Sequence, residues 1–230
     1  MSMILLLVEP DRIRGLTDTL VTFGKAPHAF APKASTLSRT VLFTRGRYAV
    51  TCALRDAIRA RGDVDLDALE PEFGRMALAE CVQHDKREAA RILLETERAL
   101  ARGDAQAPGS MCEAVLAGWS ERHGRFRAIF TDAGRAIGNV TPLPDGFSMF
   151  PGTRPLDDPY RTLPTEEQLV LIANNLDLRE RVEEGCIMFG GEMMLTTIDR
   201  DGVRTECIGR FRSYARDAAA IAQHSSQEVA

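Results

Sequence analysis

No apolar run near the start of the chain is long enough to cross a bilayer. The longest, residues 3–8, falls far short of the about 20 residues a spanning helix needs. Glu9, Pro10 and Asp11 follow it, no basic residue precedes it and no cleavage site closes it, so it reads as a buried strand and not as a signal peptide. No CxxC pair occurs. The five cysteines, Cys52, Cys81, Cys112, Cys186 and Cys207, are odd in number and widely spaced. That argues against a disulfide framework or a zinc knuckle and for reduced thiols, mostly small core residues, in a cytoplasmic protein. The four histidines, His28, His84, His123 and His224, fall in separate segments without ligand spacing. Neither a metal nor a cofactor is expected. The charged residues, 27% of the chain with a net charge of −4, are interspersed and form no basic patch, which argues against a nucleic-acid partner. There is no GxGxxG after a strand, no Walker loop, no GxSxG elbow and no kinase signature. Asn139-Val140-Thr141 matches a glycosylation sequon by chance.

What remains is a chain of ordinary composition. Its 230 residues, 44% hydrophobic with 18 glycines and 11 prolines, suit one large domain or two small ones at roughly 100–200 residues per domain. The expected domain covers residues 1–223, with a possible helical insertion at about 63–102 and a flexible tail at 224–230. Apolar and β-branched patterning predicts strands at 3–8 and, more weakly, 13–22. A loop is expected at 25–32, and a hairpin of strands at 40–43 and 48–52. Helical spacing follows at 54–61, 65–70 and 73–102, then a loop at 104–109 and a helix at 111–122 capped by Ser110 and holding Trp119. Strands return at 126–131, 136–140 and 147–150. Thr165 caps a helix from 166 to about 184, with Glu166 and Glu167 in its first turn. Gly190 and Gly191 lead into a strand at 192–198, a turn at 199–202, a partner strand at 203–211 and a short helix at 213–222. Hairpins and helices in separate blocks imply α+β layering.

The order of these parts, and four local patterns, resemble the proteasome-like branch of the N-terminal nucleophile (Ntn) hydrolases. The patterns are Ser2, Asp18 and Lys33 at about that family's spacing; the segment from Gly46 to Asp56; the run of strands and turns ending in Phe150-Pro151-Gly152-Thr153; and the Thr-Glu-Glu helix, Gly-Gly pair, strand and Asp-Gly turn between Leu163 and Gly202. The resemblance spans residues 2–212. It implies a four-layer αββα sandwich, two antiparallel sheets flanked by helices. It also implies hydrolysis of amide or peptide bonds by Ser2 after removal of Met1, and a homo-oligomer. The chain is a divergent member: serine replaces the usual threonine, Thr51-Cys52-Ala53 stands where a glycine is expected, and Cys186 and Phe189 replace an aspartate and a serine.

The chemistry implied by the resemblance is explicit. A serine hydroxyl needs a base, and the α-amine of the same residue, with a reference pKa of about 7.7–8.0, is poised near neutrality. Lys33 would favour the alkoxide, Asp18 would hold Lys33 charged, Thr153 would lend a supporting hydroxyl, and the backbone N–H groups of Cys52 and Ala53 would form the oxyanion hole. Plain structural readings stand beside these roles. Asp18 also reads as a turn acid, Lys33 as a solvated loop residue, Thr153 as a turn residue and Cys186 as a core thiol. Gly190 and Gly191 also read as backbone geometry, and Met193-Met194 as core. Two other function classes stay open: an inactive Ntn-fold scaffold or ligand-binding protein, and a hydrolase using Cys52 or Cys186.

Overall fold

Six consecutive apolar residues, Met3 to Val8, are all buried, and five of them, Ile4 to Val8, form an inner strand of one sheet. The computed structural model describes residues 3–23, 26–62, 65–102, 111–133, 138–150, 165–183 and 189–227. The chain runs through β1 (Ile4–Val8), β2 (Ile13–Asp18), β3 (Leu20–Phe23), β4 (Ala26–Phe30), β5 (Ala34–Leu37) and β6 (Thr40–Gly46). Four helices follow: α1 (Tyr48–Arg59), α2 (Leu66–Leu69), α3 (Phe73–His84) and α4 (Lys86–Ala101). Then come β7 (Cys112–Ser120), β8 (Arg125–Asp132), β9 (Thr141–Pro142), β10 (Gly146–Phe150), α5 (Glu166–Glu183), β11 (Glu192–Asp199), β12 (Gly202–Arg210) and α6 (Tyr214–Gln227). No helix among the described residues is long and apolar enough to cross a membrane.

The chain divides into two compact units, one from Ser35 to Pro144 and one from the remaining described residues on either side. The flanking unit holds a five-stranded sheet in the order β10-β1-β2-β11-β12, every pair antiparallel, and the β3–β4 ribbon. Leu5 and Leu16 on this sheet pack with Leu169, Ile172 and Ala173 of α5 and with Phe189 and Phe211. A fully buried leucine contributes about 1.5–3 kcal/mol relative to an exposed one, so this face anchors α5. Thr165 and Gln168 start α5 reciprocally: the Gln168 N–H donates to Thr165 Oγ1 at 3.3 Å and the Thr165 N–H to Gln168 Oε1 at 2.8 Å. Two orphan donors are satisfied at once, as the Thr165 cap expected from the sequence requires.

The central unit holds the second five-stranded sheet, β5-β6-β7-β8-β9. Its core joins Leu42, Leu116 and Ile129 to Val50, Leu54 and Ile58 of α1 and to Leu66, Leu69, Phe73 and Ala77. The spacing of Val50, Leu54 and Ile58 is helical, and it overrides the strand expected at 48–52: no hairpin forms there, and one helix covers the two expected pieces.

Five other segments depart from expectation. Residues 112–120 are a strand and not a helix. They lie between β6 and β8 and are buried on both faces, so the alternation that marks a half-exposed strand is missing. The loop expected at 25–32 contains β4, whose Pro27 sits at a register shift opposite Thr22, where a ladder tolerates proline. The helix expected over 73–102 breaks at Asp85. That residue is extended (φ −152°, ψ 88°) and its Oδ1 accepts the Glu88 N–H at 3.0 Å, which caps α4. The strand expected at 13–22 is split at Thr19. Among residues 138–140 no strand forms, and β9 begins at Thr141.

Candidate active site

The site is built where β2 gives way to β3. Asp18 ends β2 and its side chain is completely buried. Its Oδ1 accepts the Met3 N–H at 2.8 Å and its Oδ2 accepts the Leu20 N–H at 3.2 Å. Burial pushes its pKa up from the ordinary 3.8 to about 6. The charge of Lys33 and the two amides pull against that rise without cancelling it. Lys33, also buried, follows β4 directly in the chain, after Ala31 and Pro32. The structure thus brings Asp18 and Lys33 together, and it ties Met3, the next residue after Ser2, to the same carboxylate.

Thr19 connects this turn to its surroundings. Its carbonyl accepts the Ala31 N–H at 2.7 Å, which positions the segment leading to Lys33, and its Oγ1 accepts the Glu192 N–H at 2.8 Å. The carbonyl of Gly190 accepts the N–H groups of Thr19 and Leu20 at 3.2 and 3.1 Å. Gly191 has φ +82°, and a Cβ there would fall on Thr19 Oγ1 and 2.9 Å from the Phe30 ring. A side chain is therefore excluded by both conformation and space. Phe30 stacks on Tyr214 with centroids 5.3 Å apart, and Arg210 lies over the outer face of Tyr214 at 4.5 Å.

The other expected site residues lie elsewhere. Ser2, Thr153 and Cys186 are outside the described residues. Cys52 and Ala53 belong to the central unit, in the second turn of α1. There an amide N–H is taken up by the carbonyl four residues back, as in the bond from the Thr51 N–H to the Arg47 carbonyl at 3.0 Å. The junction of strand and helix sits at Gly46-Arg47, and the N–H groups without helical acceptors are those of Tyr48, Ala49 and Val50. The sequence obscured this because Tyr48, Val50 and Thr51 favour strands.

Other reactive groups have structural roles. Ser120, His123 and Asp67 meet at the β7–β8 turn, but the Ser120 hydroxyl donates to Asp67 Oδ1 at 2.6 Å. His123 Nδ1 lies 2.8 Å from Ser120 Oγ and also faces Arg127 Nη1 at 3.1 Å. The acid holds the hydroxyl and not the imidazole, so the relay of a catalytic triad is absent and the cluster fastens the turn. Burial pushes the Cys81 thiol up to about 12 and Cys112 well above its ordinary value, which leaves both protonated and unreactive. Cys52, Cys81, Cys112 and Cys207 form no disulfide. No cluster of three metal-ligating side chains occurs among the described residues.

No family model matches the chain. No curated protein matches it either. Solved structures do. A mutant of Anbu from Hyphomicrobium sp. strain MC1 aligns with a TM-score of 0.56 at 15% identity, covering 98% of this chain and 95% of that one. Anbu from the same organism aligns with the same score and identity over 99% and 94%. Anbu is a proteasome-related protein with an Ntn-hydrolase-like fold. The likeness shows the fold: this chain is an α+β protein with an Ntn-like fold, as its resemblance to that family implies.

Proposed function

We propose that this chain is a proteasome-like Ntn hydrolase that cleaves amide or peptide bonds, with Ser2 as nucleophile once Met1 is removed. The observation that carries the reading is the buried Asp18, which faces Lys33 and holds the Met3 amide beside Ser2, in a fold like that of Anbu.

The residues divide the work as follows. The α-amine of Ser2 takes the proton of its own hydroxyl as the oxygen attacks the carbonyl carbon of the scissile amide. The Lys33 ammonium stabilises the developing alkoxide, and ionised Asp18 keeps Lys33 charged. Collapse of the tetrahedral intermediate breaks the C–N bond, and the departing amine receives the proton from the α-ammonium. Water then attacks the acyl ester, giving its proton to the α-amine and its hydroxyl to the acid product, and Ser2 is regenerated. Thr153 is assigned a supporting hydroxyl in this reading. Peptides or small amides are the substrate class, the protein is cytoplasmic, and a homo-oligomer is its working form.

A second reading, an inactive Ntn-fold scaffold or ligand-binding protein, is favoured by one observation. Phe189, fully buried in the apolar core against α5, occupies the place where the resemblance calls for a serine.

Intact-mass measurement separates the two. The hydrolase reading requires the native protein to lack Met1 and to gain the mass of a β-lactone probe on Ser2. Retained Met1, or a trimmed protein that stays unlabelled, favours the scaffold.

A further inference from the structure

The turn from Asp18 to Leu20 is braced from behind by a buried ionic cluster that the reading above does not use. Arg181 on α5 donates through Nε to Asp177 Oδ1, one turn earlier on the same helix. Its Nη1 and Nη2 grip Asp217 Oδ1 and Oδ2, in the first turn of α6, at 3.1 and 2.7 Å. Nη2 also donates to the Phe189 carbonyl at 2.7 Å. One planar fork thus ties two helices and a backbone carbonyl together, a task the point charge of a lysine does not reproduce. Two acids share this one cation, and burial holds the Asp177 carboxyl above its ordinary value despite the guanidinium. Buried side chains in such a cluster are costly to leave unpaired, so its members hold one another in place.

The brace reaches Asp18 through one glycine. The carbonyl after that of Phe189, on Gly190, accepts the Thr19 and Leu20 N–H groups, and the Leu20 N–H is shared with Asp18 Oδ2. No room exists for a side chain at Gly190: a Cβ there would lie 2.7 Å from Asp217 Oδ2, 3.0 Å from Arg181 Nη2 and 2.9 Å from Leu20 Cδ2. The cluster and Leu20 of the turn both close in on this one residue.

We propose that Arg181 is a positioning residue for Asp18, fixing the carbonyls of Phe189 and Gly190 so that the Leu20 N–H and the Asp18 carboxylate are held in register with Lys33 and Met3. The proposal rests on the reading of Asp18 and Lys33 as supports of the nucleophile. Arg181 touches no reacting atom; it acts through the loop at 189–191.

The test uses the full chain with isotope-labelled aspartate, comparing wild type with Arg181→Lys and with the milder Asp177→Asn. The titration of the Asp18 carboxyl is followed by NMR, and labelling of residue 2 by a β-lactone is followed by intact mass. With the fold retained, Arg181→Lys is expected to speed amide exchange at Thr19 and Leu20 and to raise the Asp18 midpoint, because the carboxylate loses hold of the Leu20 N–H. Labelling is expected to slow by about tenfold or more, as small misplacements near a reacting group do. Asp177→Asn is expected to move the same readouts in the same direction by less. Folded variants with an unchanged Asp18 midpoint and an unchanged labelling rate overturn the proposal. If Arg181→Lys does not fold, the midpoint in Asp177→Asn decides alone: a rise supports the proposal and no change overturns it. A trimmed wild type that is never labelled sinks the hydrolase reading, while the Asp18 midpoint still decides the role of Arg181.

Discussion

Asp18 and Met3 are joined by a 2.8 Å hydrogen bond from the Met3 N–H to Asp18 Oδ1, across fifteen positions of chain. The two face each other at the open ends of β1 and β2, one step beyond the Ile4–Thr17 pair. The bond makes the carboxylate an anchor for the first strand as well as a partner for Lys33. A single buried acid thus couples the position of the chain's start to the charge of the lysine, and this coupling has measurable consequences.

The first concerns pH, and it has two signs. Hydrolysis or β-lactone labelling requires both ionised Asp18 and a free α-amine, so the rate is expected to rise through about pH 6 with Asp18 and again through about 7.7–8.0 with the amine. Stability moves the other way. The folded state binds this proton more tightly than the unfolded chain does. The group's contribution is therefore full below the ordinary 3.8 and is lost as pH rises through about 6. That gap corresponds to about 3 kcal/mol. Urea denaturation across this window in wild type and Asp18→Asn checks it, since the variant should lose this part of the slope. An acid limb at the ordinary carboxylate value would show that Asp18 is solvated.

Lys33→Met is expected to lower the labelling rate by about a hundredfold or more, because the alkoxide loses its nearby cation. The same substitution removes the main charge that opposes the upward shift of Asp18. Its midpoint should climb further above 6 in the NMR titration. A variant that labels at the wild-type rate would remove Lys33 from the mechanism.

Gly191→Ala and Gly202→Ala separate conformation from space. Both glycines have positive φ, +82° and +125°, but a Cβ at Gly202 meets nothing within 4 Å while one at Gly191 collides with Thr19 and Phe30. Strain alone is expected to cost about 1–3 kcal/mol at either site. Overpacking should add about 1–3 kcal/mol at Gly191. Equal losses in urea midpoints would contradict the packing around Thr19.

Asp85→Ala tests the break between α3 and α4. Loss of the cap on the Glu88 N–H is expected to destabilise the fold by about 1–2 kcal/mol. The exposed contact from Arg47 to Asp85 adds little. Asp85→Ser, which retains a capping oxygen, should recover most of the loss. A fully stable Asp85→Ala variant would mean that the two helices need no cap to part.

Local patterning located the outer strands and the caps that depend only on neighbours in sequence. The apolar run at 3–8, the Thr165 cap and the Asp-Gly turn before β12 were all legible, because each is decided within a few residues. Strand β7 was not, since burial on both faces erases the alternation that distinguishes a strand from a buried helix. The helix start at Tyr48 was missed because β-branched residues mask the helical spacing of Val50, Leu54 and Ile58. In the site, Asp18 and Lys33 were named from the order of residues, whereas Thr19 was not. The spacing of Asp177 and Arg181 does signal an ion pair on one helix face. Nothing local signals that Asp217 and the Phe189 carbonyl complete it.

Composition and chain order were sufficient for the α+β class and for the lack of a familiar nucleotide or metal signature, and the resemblance to the Ntn hydrolases singled out Asp18 and Lys33 as a candidate pair. Those features are written in residue types and short spacings, which a linear chain displays directly. Tertiary structure alone decided that Asp18 is fully desolvated, that it grips Met3 and Leu20 through separate oxygens, and that Gly190 carries the contact with Arg181. Burial and hydrogen bonding between distant segments exist only after β2, β11, α5 and α6 have packed, because desolvation and shared donors are properties of the space between elements.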